Sequence, residues 1–270
     1  MQIVLDTKGL VLKKRNDSFL IEHHEKKLRR MISPVRISSI AITAACFVSA
    51  GAVQLAAEHQ IPILFFDFTG KASARMWSAS FGKLATLRRC QVVRSDSLDG
   101  SDDVLKWLHL KNQHQAEWLR WLANRLPSQK TRLYSLQQLL SEPWPADWYQ
   151  TPISVLRATL LGVEGNRARI YWQTLAEVVP DEWKFEKRSQ HPAQDAFNAI
   201  LNYLYGMLYN TVESGIFAAG LDPYLGMFHA DAYNAPTLTY DLIEPFRPWV
   251  DELLFWLIMD KKIVAEYDEI

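Results

Sequence analysis

The arrangement of apolar residues along the chain changes near residue 78, and this change limits the folds that the chain can adopt. In the first 77 residues, short runs rich in Val, Ile, Leu and Phe alternate with turn signals such as Thr7-Lys8-Gly9, Asn16-Asp17 and Phe68-Thr69-Gly70, which is typical of β-structure. From Phe81 onward the apolar residues follow a helical period. We therefore predict an α+β fold, with a small N-terminal β-domain over residues 1–77 and an all-α C-terminal domain over residues 78–270. The predicted strands cover residues 2–5, 10–14, 18–23, 27–31, 35–43 and 61–66, with one helix over residues 47–58.

Three long helices are predicted in the second part. Ser101, followed by two aspartates, is a favourable helix start, and residues 95–103 are predicted to form a loop. Thr151-Pro152 predicts a second helix that runs to about residue 179, because Thr can cap a helix and Pro suits its first position. A third helix is predicted over residues 193–219, ending at Gly220.

Charge is unevenly distributed along the chain, although 30 basic and 30 acidic residues balance overall. Residues 1–95 contain 15 Lys and Arg against 6 Asp and Glu, a net charge of +9, so the remainder carries −9. A basic first part suits contact with a polyanion, and an acidic second part suits a bound cation. The alternative is that charge is simply divided unevenly between two domains.

The cysteine content and the hydropathy of the chain argue against several classes of protein. Cys46 and Cys90 are the only cysteines and form no CxxC pair, which argues against a disulfide framework or a thiolate zinc site. Asp6 precedes any apolar run long enough for a signal peptide. Residues 37–57 lack charge but include several polar and small residues, so we expect a strand and a helix there and no membrane span. A cytoplasmic protein is expected.

Glu164 lies between Gly162 and Gly165 in a segment that is otherwise helical. Each glycine costs a helix roughly 0.5–1 kcal/mol relative to alanine, and close approach of another backbone or of a ligand is the usual compensation. Helical spacing places Arg157, Arg167 and Tyr171 on the same face as Glu164. A carboxylate beside guanidinium groups suits a metal next to a phosphate, and the alternative is a surface stripe of ion pairs.

Two later segments add further candidate ligands. A turn with the sequence Gly220-Leu221-Asp222-Pro223-Tyr224-Leu225-Gly226 leads to His229, although a lone histidine in a turn is usually structural or solvated. Asp241 and Glu244 are three residues apart, so one helical turn would project both to the same side, where they repel unless a cation lies between them or one is protonated. Three acids and one histidine form a hard ligand set that favours Mg²⁺ or Mn²⁺ over zinc.

Together these segments resemble the signature of the CRISPR-associated integrase family, the spacer-acquisition enzymes of prokaryotic adaptive immunity. The first 77 residues are also similar to the β-domain of that family, so the resemblance covers nearly the whole chain. The three motifs, in order, are Gly162-Val163-Glu164-Gly165-Asn166 with Ala168-Arg169-Ile170-Tyr171-Trp172, the turn leading to His229, and Asp241-Leu242-Ile243-Glu244-Pro245-Phe246-Arg247-Pro248.

The resemblance implies a metal-dependent DNA endonuclease and integrase that inserts short DNA fragments into a CRISPR array. It implies that the 3′-hydroxyl of a prespacer attacks a phosphodiester at the leader end of the repeat, a transesterification. Glu164, His229 and Glu244 correspond to the ligands of Mg²⁺ or Mn²⁺, and Asp241 corresponds to a further catalytic acid. The implied partners are double-stranded DNA, a second copy that pairs through the β-domain, and a small ferredoxin-like protein bridged by two dimers.

Two alternatives stay open: a transposon-borne integrase of the same family acting outside CRISPR, and a non-catalytic DNA-binding scaffold that keeps the fold. Candidate DNA contacts near the site are mostly basic, and each could instead be a surface residue or pair with a carboxylate. These candidates are Arg157, Arg167, Arg169, Tyr171, Lys187, Arg188 and Arg247.

Overall fold

A computed structural model describes residues 1–67, 72–76, 78, 84–190 and 192–265. The chain divides into two compact units, Met1–Leu84 and Ala85–Ile270. The first contains strands and one short helix, and the second is helical, which confirms the predicted α+β class. The predicted boundary between residues 77 and 78 stays a prediction, because several residues around it lie outside the described ranges, as does the turn predicted at Phe68-Thr69-Gly70.

Two four-stranded sheets form the first unit. In one, β1, β5 and β7 are parallel neighbours and β8 is antiparallel to β7; in the other, β3 is antiparallel to β4 and to β2, which pairs in parallel with β6. Leucine and isoleucine side chains from both sheets share a buried core with α1. The elements are β1 (Gln2–Leu5), β2 (Val11–Arg15), β3 (Ser18–His23), β4 (Leu28–Ile32), β5 (Ser39–Ile42), β6 (Phe47–Val48), α1 (Ala50–Glu58), β7 (Ile63–Phe66) and β8 (Ala72–Met76).

Three details of the first unit differ from the prediction. The predicted strand over residues 35–43 is shorter, because a 3-10 turn occupies Pro34–Arg36. Residues 47 and 48 form β6 rather than the start of the helix, since Ser49 caps α1 by accepting a hydrogen bond from the amide of Ala52. The prediction also missed β8.

Seven α-helices lie in the described part of the chain from residue 84 onward. The third long helix ends as predicted at Gly220, which adopts a left-handed φ of 77°. Their bounds are α2 (Leu84–Ser95), α3 (Leu98–Arg125), α4 (Lys130–Ser141), α5 (Ile153–Ala176), α6 (Ala196–Ala218), α7 (Thr237–Ile243) and α8 (Arg247–Met259).

The loop predicted over residues 95–103 is wrong. α3 begins at Leu98, and the side chain of Ser97, not of Ser101, caps it by accepting from the amide of Gly100. Gly100 is needed at this position because a Cβ there would collide with the carbonyl oxygen of Arg94. Thr151 is also not a cap, since its hydroxyl donates to the carbonyl of Asp147, although the predicted helix is present as α5.

Two separate hydrophobic clusters stabilise the helical unit. The smaller joins the start of α3 and the start of α5, through residues that include Leu108 and Leu160. The larger joins later parts of the same helices to α4, α6 and α8, through residues that include Leu119 and Tyr171. Both helices therefore pass from one apolar cluster to the other, and the polar site described below lies on the intervening turns. No helix among the described residues has the length and hydropathy needed to span a membrane.

Candidate active site

Two of the predicted metal ligands converge on a lysine that the sequence analysis did not single out. The ammonium Nζ of Lys111 on α3 lies 2.5 Å from Oε1 of Glu164 on α5. It also lies 2.6 Å from Oε2 of Glu244, which follows α7. The two carboxylate oxygens are therefore no further apart than the sum of these two distances. A single cationic group bridges two acids from separate elements.

A signal in the sequence could have identified this lysine. Lys111 falls on the apolar stripe of α3, in helical register with Leu108 and Leu119, and its side chain is only 8% exposed. A lysine is almost never buried unless it is paired. Its position on a buried face therefore requires an acidic partner from another element.

Glu244 is the more deeply buried acid of the pair. Its Oε1 accepts a hydrogen bond of 2.8 Å from Nε of Arg247, so it contacts two cations. Burial alone would raise the pKa of Glu244, but the charges of Lys111 and Arg247 outweigh burial and lower the pKa to about 2. Burial would likewise lower the pKa of Lys111, but Glu244 and Glu164 raise it. The site thus carries its charges at neutral pH.

Asp241 holds the turn before α7 through its carboxylate. Its carboxylate is buried and accepts hydrogen bonds from the amides of Met227, Phe228 and His229 at 2.6, 2.9 and 2.9 Å. It also lies 2.7 Å from Nδ1 of His229. We call this arrangement the Asp241 clamp. Each of the two acids Asp241 and Glu244 has its own donors, so neither carboxylate depends on a cation shared with the other.

The Asp241 clamp orients the imidazole of His229. With Nδ1 hydrogen-bonded to the Asp241 carboxylate, that nitrogen carries the proton and Nε2 keeps the lone pair that a metal requires. The His229 side chain is 33% exposed, so Nε2 is not sealed in the core. In its protonated form, His229 is also near enough to Glu244 for its charge to lower the pKa of that acid.

Contacts from α2 and α7 hold the turn that carries His229. The amide of Gly226 donates to Oγ1 of Thr237 at 2.9 Å, and a Cβ at Gly226 would lie 2.7 Å from that side chain. Gln91 on α2 donates to the carbonyls of Asp222 and Leu225 at 2.8 and 3.2 Å. Gln91 was also missed by the sequence analysis, since its partners are more than a hundred residues away.

The donor set around Lys111 fits a hard divalent cation in part. Glu164 and Glu244 already direct carboxylate oxygens at one cationic point, and Mg²⁺ and Mn²⁺ prefer such oxygens. However, within the described ranges no three His, Cys, Asp or Glu side chains surround a common point. The ammonium of Lys111 stands in for a cation at the carboxylate pair, and His229 lies beside that pair rather than on it.

Several predicted DNA contacts are engaged within the protein. Arg157 donates from Nη2 to the carbonyl of Met227 at 3.0 Å and so supports the histidine turn. Arg167 is buried and stacks 4.4 Å from the ring centroid of Trp144. Tyr171 is 1% exposed and belongs to the core. Burial therefore leaves the side chains of Arg167 and Tyr171 little surface for contact with a DNA strand.

The other predicted contacts vary in exposure. Arg169 is exposed and bonds only to Asn166 and Gln173 of its own helix, at 2.9 Å each. Lys187 is exposed. Arg188 is partly buried and donates to the amide oxygens of Asn198 and Asn202. Arg169 and Lys187 are thus the candidates that keep the most accessible charge.

A buried aspartate links the acidic site to the core. Asp251 on α8 accepts hydrogen bonds from the hydroxyls of Tyr171 and Tyr205 at 2.9 and 2.5 Å. The Tyr171 hydroxyl in turn accepts from Nε1 of Trp118 at 2.9 Å. The guanidinium of Arg247 lies 4.8 Å from the ring centroid of Tyr205 while it holds Glu244. Arg247 therefore joins the Asp251 network to the carboxylate pair.

Asp251 should make stability pH-dependent in the mildly acidic range. Burial raises its pKa from 3.8 to about 6, although hydrogen bonds from Tyr205 and Tyr171 and the charges of Arg247 and Lys111 oppose this. The folded state favours the protonated form, so the stabilisation is complete below about pH 4 and is lost as the pH rises through about 6. Across that window we expect Asp251 to contribute a fall in the free energy of unfolding on the order of 1 kcal/mol per pH unit.

Urea unfolding of Asp251→Asn at several pH values measures this contribution. The slope of the free energy of unfolding against pH should flatten in this variant, because asparagine does not titrate. Asp260→Asn, at the exposed end of the same helix, is the matched control and should keep the wild-type slope. An unchanged slope in Asp251→Asn would mean that Asp251 does not titrate in this range.

Comparison with known proteins identifies the family to which these motifs belong. A family model described as CRISPR associated protein Cas1 matches residues 3–269. The chain belongs to the Cas1 family. This confirms the resemblance to CRISPR-associated integrases that the sequence motifs indicate.

Curated Cas1 relatives align over most of this chain. The CRISPR-associated endonuclease Cas1 of Korarchaeum cryptofilum (strain OPF8) is 30% identical over 264 residues, covering 94% of this chain and 76% of that protein. The CRISPR-associated endonuclease Cas1 1 of Archaeoglobus fulgidus is 29% identical over 279 residues, covering 98% of this chain and 80% of that protein.

Solved structures share the fold at lower identity. A CAS1 protein from Thermotoga maritima matches with a TM-score of 0.77 and 22% identity, over 100% of this chain and 82% of that one. A casposase bound to integration product matches with a TM-score of 0.73 and 23% identity, over 97% of this chain and 74% of that one. A chain of a Cas6-RT-Cas1–Cas2 complex matches with a TM-score of 0.70 and 20% identity, over 97% of this chain but 28% of that one.

Proposed function

We propose that this Cas1 family member is a divalent-metal-dependent DNA endonuclease and integrase that joins short DNA fragments into a CRISPR array. The observation that carries the proposal is the convergence of Glu164 and Glu244 on one cationic point, next to a histidine oriented by the Asp241 clamp. A non-catalytic scaffold has no need to keep this buried charged site, whose desolvation costs stability. The names of the curated relatives, CRISPR-associated endonucleases, support the same chemistry.

In this proposal Glu164, Glu244 and Nε2 of His229 hold Mg²⁺ or Mn²⁺. The bound ion would align an attacking 3′-hydroxyl and neutralise charge on the phosphate during transesterification. Asp241 keeps His229 in the tautomer with a free Nε2, through the contact at Nδ1. Arg247 keeps the second oxygen of Glu244 engaged and so limits rotation of that carboxylate.

The proposed substrates and partners follow from the family. They are double-stranded DNA as prespacer and CRISPR repeat, a second copy paired through the first unit, and a small ferredoxin-like protein. The solved neighbour from a Cas1–Cas2 complex supports assembly with a further CRISPR-associated protein. The basic character of residues 1–95 supports a role for that part in meeting DNA.

A plasmid joining assay tests this function. Purified protein, with and without the partner, is mixed with short duplex DNA, Mn²⁺ and a plasmid that carries a CRISPR repeat. We expect joining to the repeat, no joining in EDTA, and loss of joining in Glu164→Gln. Glu177→Gln is the matched control, because Glu177 follows the same helix, is exposed and pairs with Arg132 away from the site. Joining by the wild type in EDTA would refute the metal-dependent mechanism, and preference for transposon ends would favour the alternative integrase.

The helix flank beside Glu164 is open, which supports a ligand there. A Cβ at Gly162 or at Gly165 would meet nothing among the described residues within 4 Å. The close approach of another backbone that the sequence analysis allowed is therefore absent from the described part of the chain. This open flank leaves room for a ligand, and we propose that a DNA strand passes over it.

Gly162→Ala should therefore stabilise the protein and impair DNA joining. Alanine in an exposed helix interior should raise the free energy of unfolding by about 0.5–1 kcal/mol, whereas the added methyl group should hinder a strand that passes close to the helix. Gly215→Ala is the matched control, since Gly215 is an equally open glycine on α6. It should give a similar stabilisation with unchanged joining. Unimpaired joining by Gly162→Ala would argue against close passage of DNA.

A further inference from the structure

The ammonium group of Lys111 occupies the position between Glu164 and Glu244 at which a metal ion shared by the two carboxylates would bind. Its Nζ is 2.5 Å from one carboxylate oxygen and 2.6 Å from the other. A magnesium ion bound by both carboxylates would lie about 2.0–2.1 Å from the same oxygens. An ammonium group and a metal ion cannot both fill that space. The space between the two carboxylates therefore holds one cation at a time.

A metal ion can replace the Lys111 ammonium group from the side of Glu164, the more exposed of the two acids. Glu244 keeps Arg247 as a second partner, so its charge remains compensated when Lys111 moves. The side chain of Glu164 is 23% exposed, compared with 8% for Lys111 and for Glu244. Solvent and ions thus reach the pair from the Glu164 side. The four-carbon stem of lysine is flexible enough to carry the ammonium away without movement of the backbone.

We propose that Lys111 is an internal counter-cation that closes the carboxylate pair in the metal-free protein and is displaced when a divalent cation binds. The inference rests on the proposed metal-dependent function and adds a residue that controls metal loading. A metal ion can bind only after the ion pairs of Lys111 with Glu164 and Glu244 are broken. Lys111 therefore weakens the affinity of the site for metal.

Manganese binding by Lys111→Met measures this competition directly. Methionine keeps much of the volume and removes the charge, so two carboxylates are left without the lysine and attract a divalent ion more strongly. We expect Mn²⁺ affinity, measured from the free-ion signal in electron paramagnetic resonance, to rise at least about tenfold over wild type. Lys106→Met is the matched control, because Lys106 lies on the same helix, is 66% exposed and pairs with Asp102. It should leave Mn²⁺ affinity unchanged, and equal or weaker binding by Lys111→Met would overturn the proposal.

A measurement on the wild-type protein covers the case in which Lys111→Met does not fold. Acetic anhydride labels exposed lysines, and mass spectrometry reads the extent of labelling at each one. Labelling of Lys111 should be slow without metal and should rise several-fold at saturating Mn²⁺, while labelling of Lys106 stays constant. Constant labelling of Lys111 with Mn²⁺ bound would show that the ammonium stays in place and would overturn the proposal.

The two measurements also separate this inference from the proposed function. Suppose that DNA joining depends on Mn²⁺, but Lys111→Met does not raise the affinity for Mn²⁺ and labelling of Lys111 stays constant when Mn²⁺ binds. In that case only the inference about Lys111 fails. If neither the wild type nor Lys111→Met binds Mn²⁺ in these experiments, both the inference and the proposed metal site fail.

Discussion

Asp241→Asn should abolish DNA joining and lower the free energy of unfolding by about 3 kcal/mol. The buried carboxylate accepts from three backbone amides and from Nδ1 of His229. Asparagine has one carbonyl oxygen and an amide group that would face these donors, so several buried N–H groups would lose their acceptor, each at about 1–3 kcal/mol less any relaxation. Loss of the clamp would also free the imidazole to change tautomer and orientation.

Chemical denaturation and the plasmid joining assay together measure this effect. The matched control is Asp231→Asn, two residues after His229, where the aspartate is exposed. It should change the free energy of unfolding by less than about 0.5 kcal/mol and leave joining intact. Joining at the wild-type rate by Asp241→Asn would mean that the orientation of His229 does not depend on the carboxylate charge.

Glu244→Gln should also abolish joining, and it should cost more stability than Glu164→Gln. Glu244 is the buried partner of both Lys111 and Arg247, so its neutralisation leaves two cations with reduced compensation. Removal of one partner from a buried ion pair costs about 3–5 kcal/mol. Glu164 contacts Lys111 alone and is partly solvated, so its loss should cost about 1 kcal/mol. Both variants should be inactive because both lose a carboxylate of the pair.

The difference between the two variants is the measurable quantity. Denaturant unfolding at neutral pH gives the two stabilities, and Glu252→Gln on the exposed face of α8 provides the matched control, with neither stability nor joining changed. Equal stabilities of Glu244→Gln and Glu164→Gln would show that the contact with Arg247 does not stabilise the buried Glu244 carboxylate.

Local signals were sufficient to predict the main elements of the fold. The change of period near residue 78 predicts the α+β class, Thr151-Pro152 predicts the helix found as α5, and a long apolar stripe predicts α6. Errors occurred where two signals competed within a few residues. Ser97 and Ser101 are both plausible caps, and only the close packing of Gly100 against Arg94 decides between them. Phe47 suits either a strand or a helix, and pairing with β2 decides for the strand.

The acidic positions of the site could be singled out from the sequence, but their partners could not. The glycine-flanked Glu164 and the Asp241/Glu244 spacing stand out locally. Lys111 is marked by its position on the apolar stripe of α3, but its partners and those of Gln91 could not be predicted, because they are distant in sequence and are brought close only by packing of α2 and α3 against the later segments. Helical spacing also placed Arg167 and Tyr171 correctly on the face of Glu164. That face points into the protein, which periodicity alone does not reveal.

The Asp241 clamp allows the loop that follows His229 to vary in length. It ties residues 227–229 directly to α7, so the intervening residues 230–235 form a closed loop whose ends are held independently of its contents. Residues 230–234 are exposed, and the tip residue Tyr233 is fully so. Loop closure becomes only slightly less favourable as a loop lengthens. Relatives can therefore gain or lose residues at this tip, and a tag or a second domain can be inserted there, without displacing His229 from its place beside Glu244.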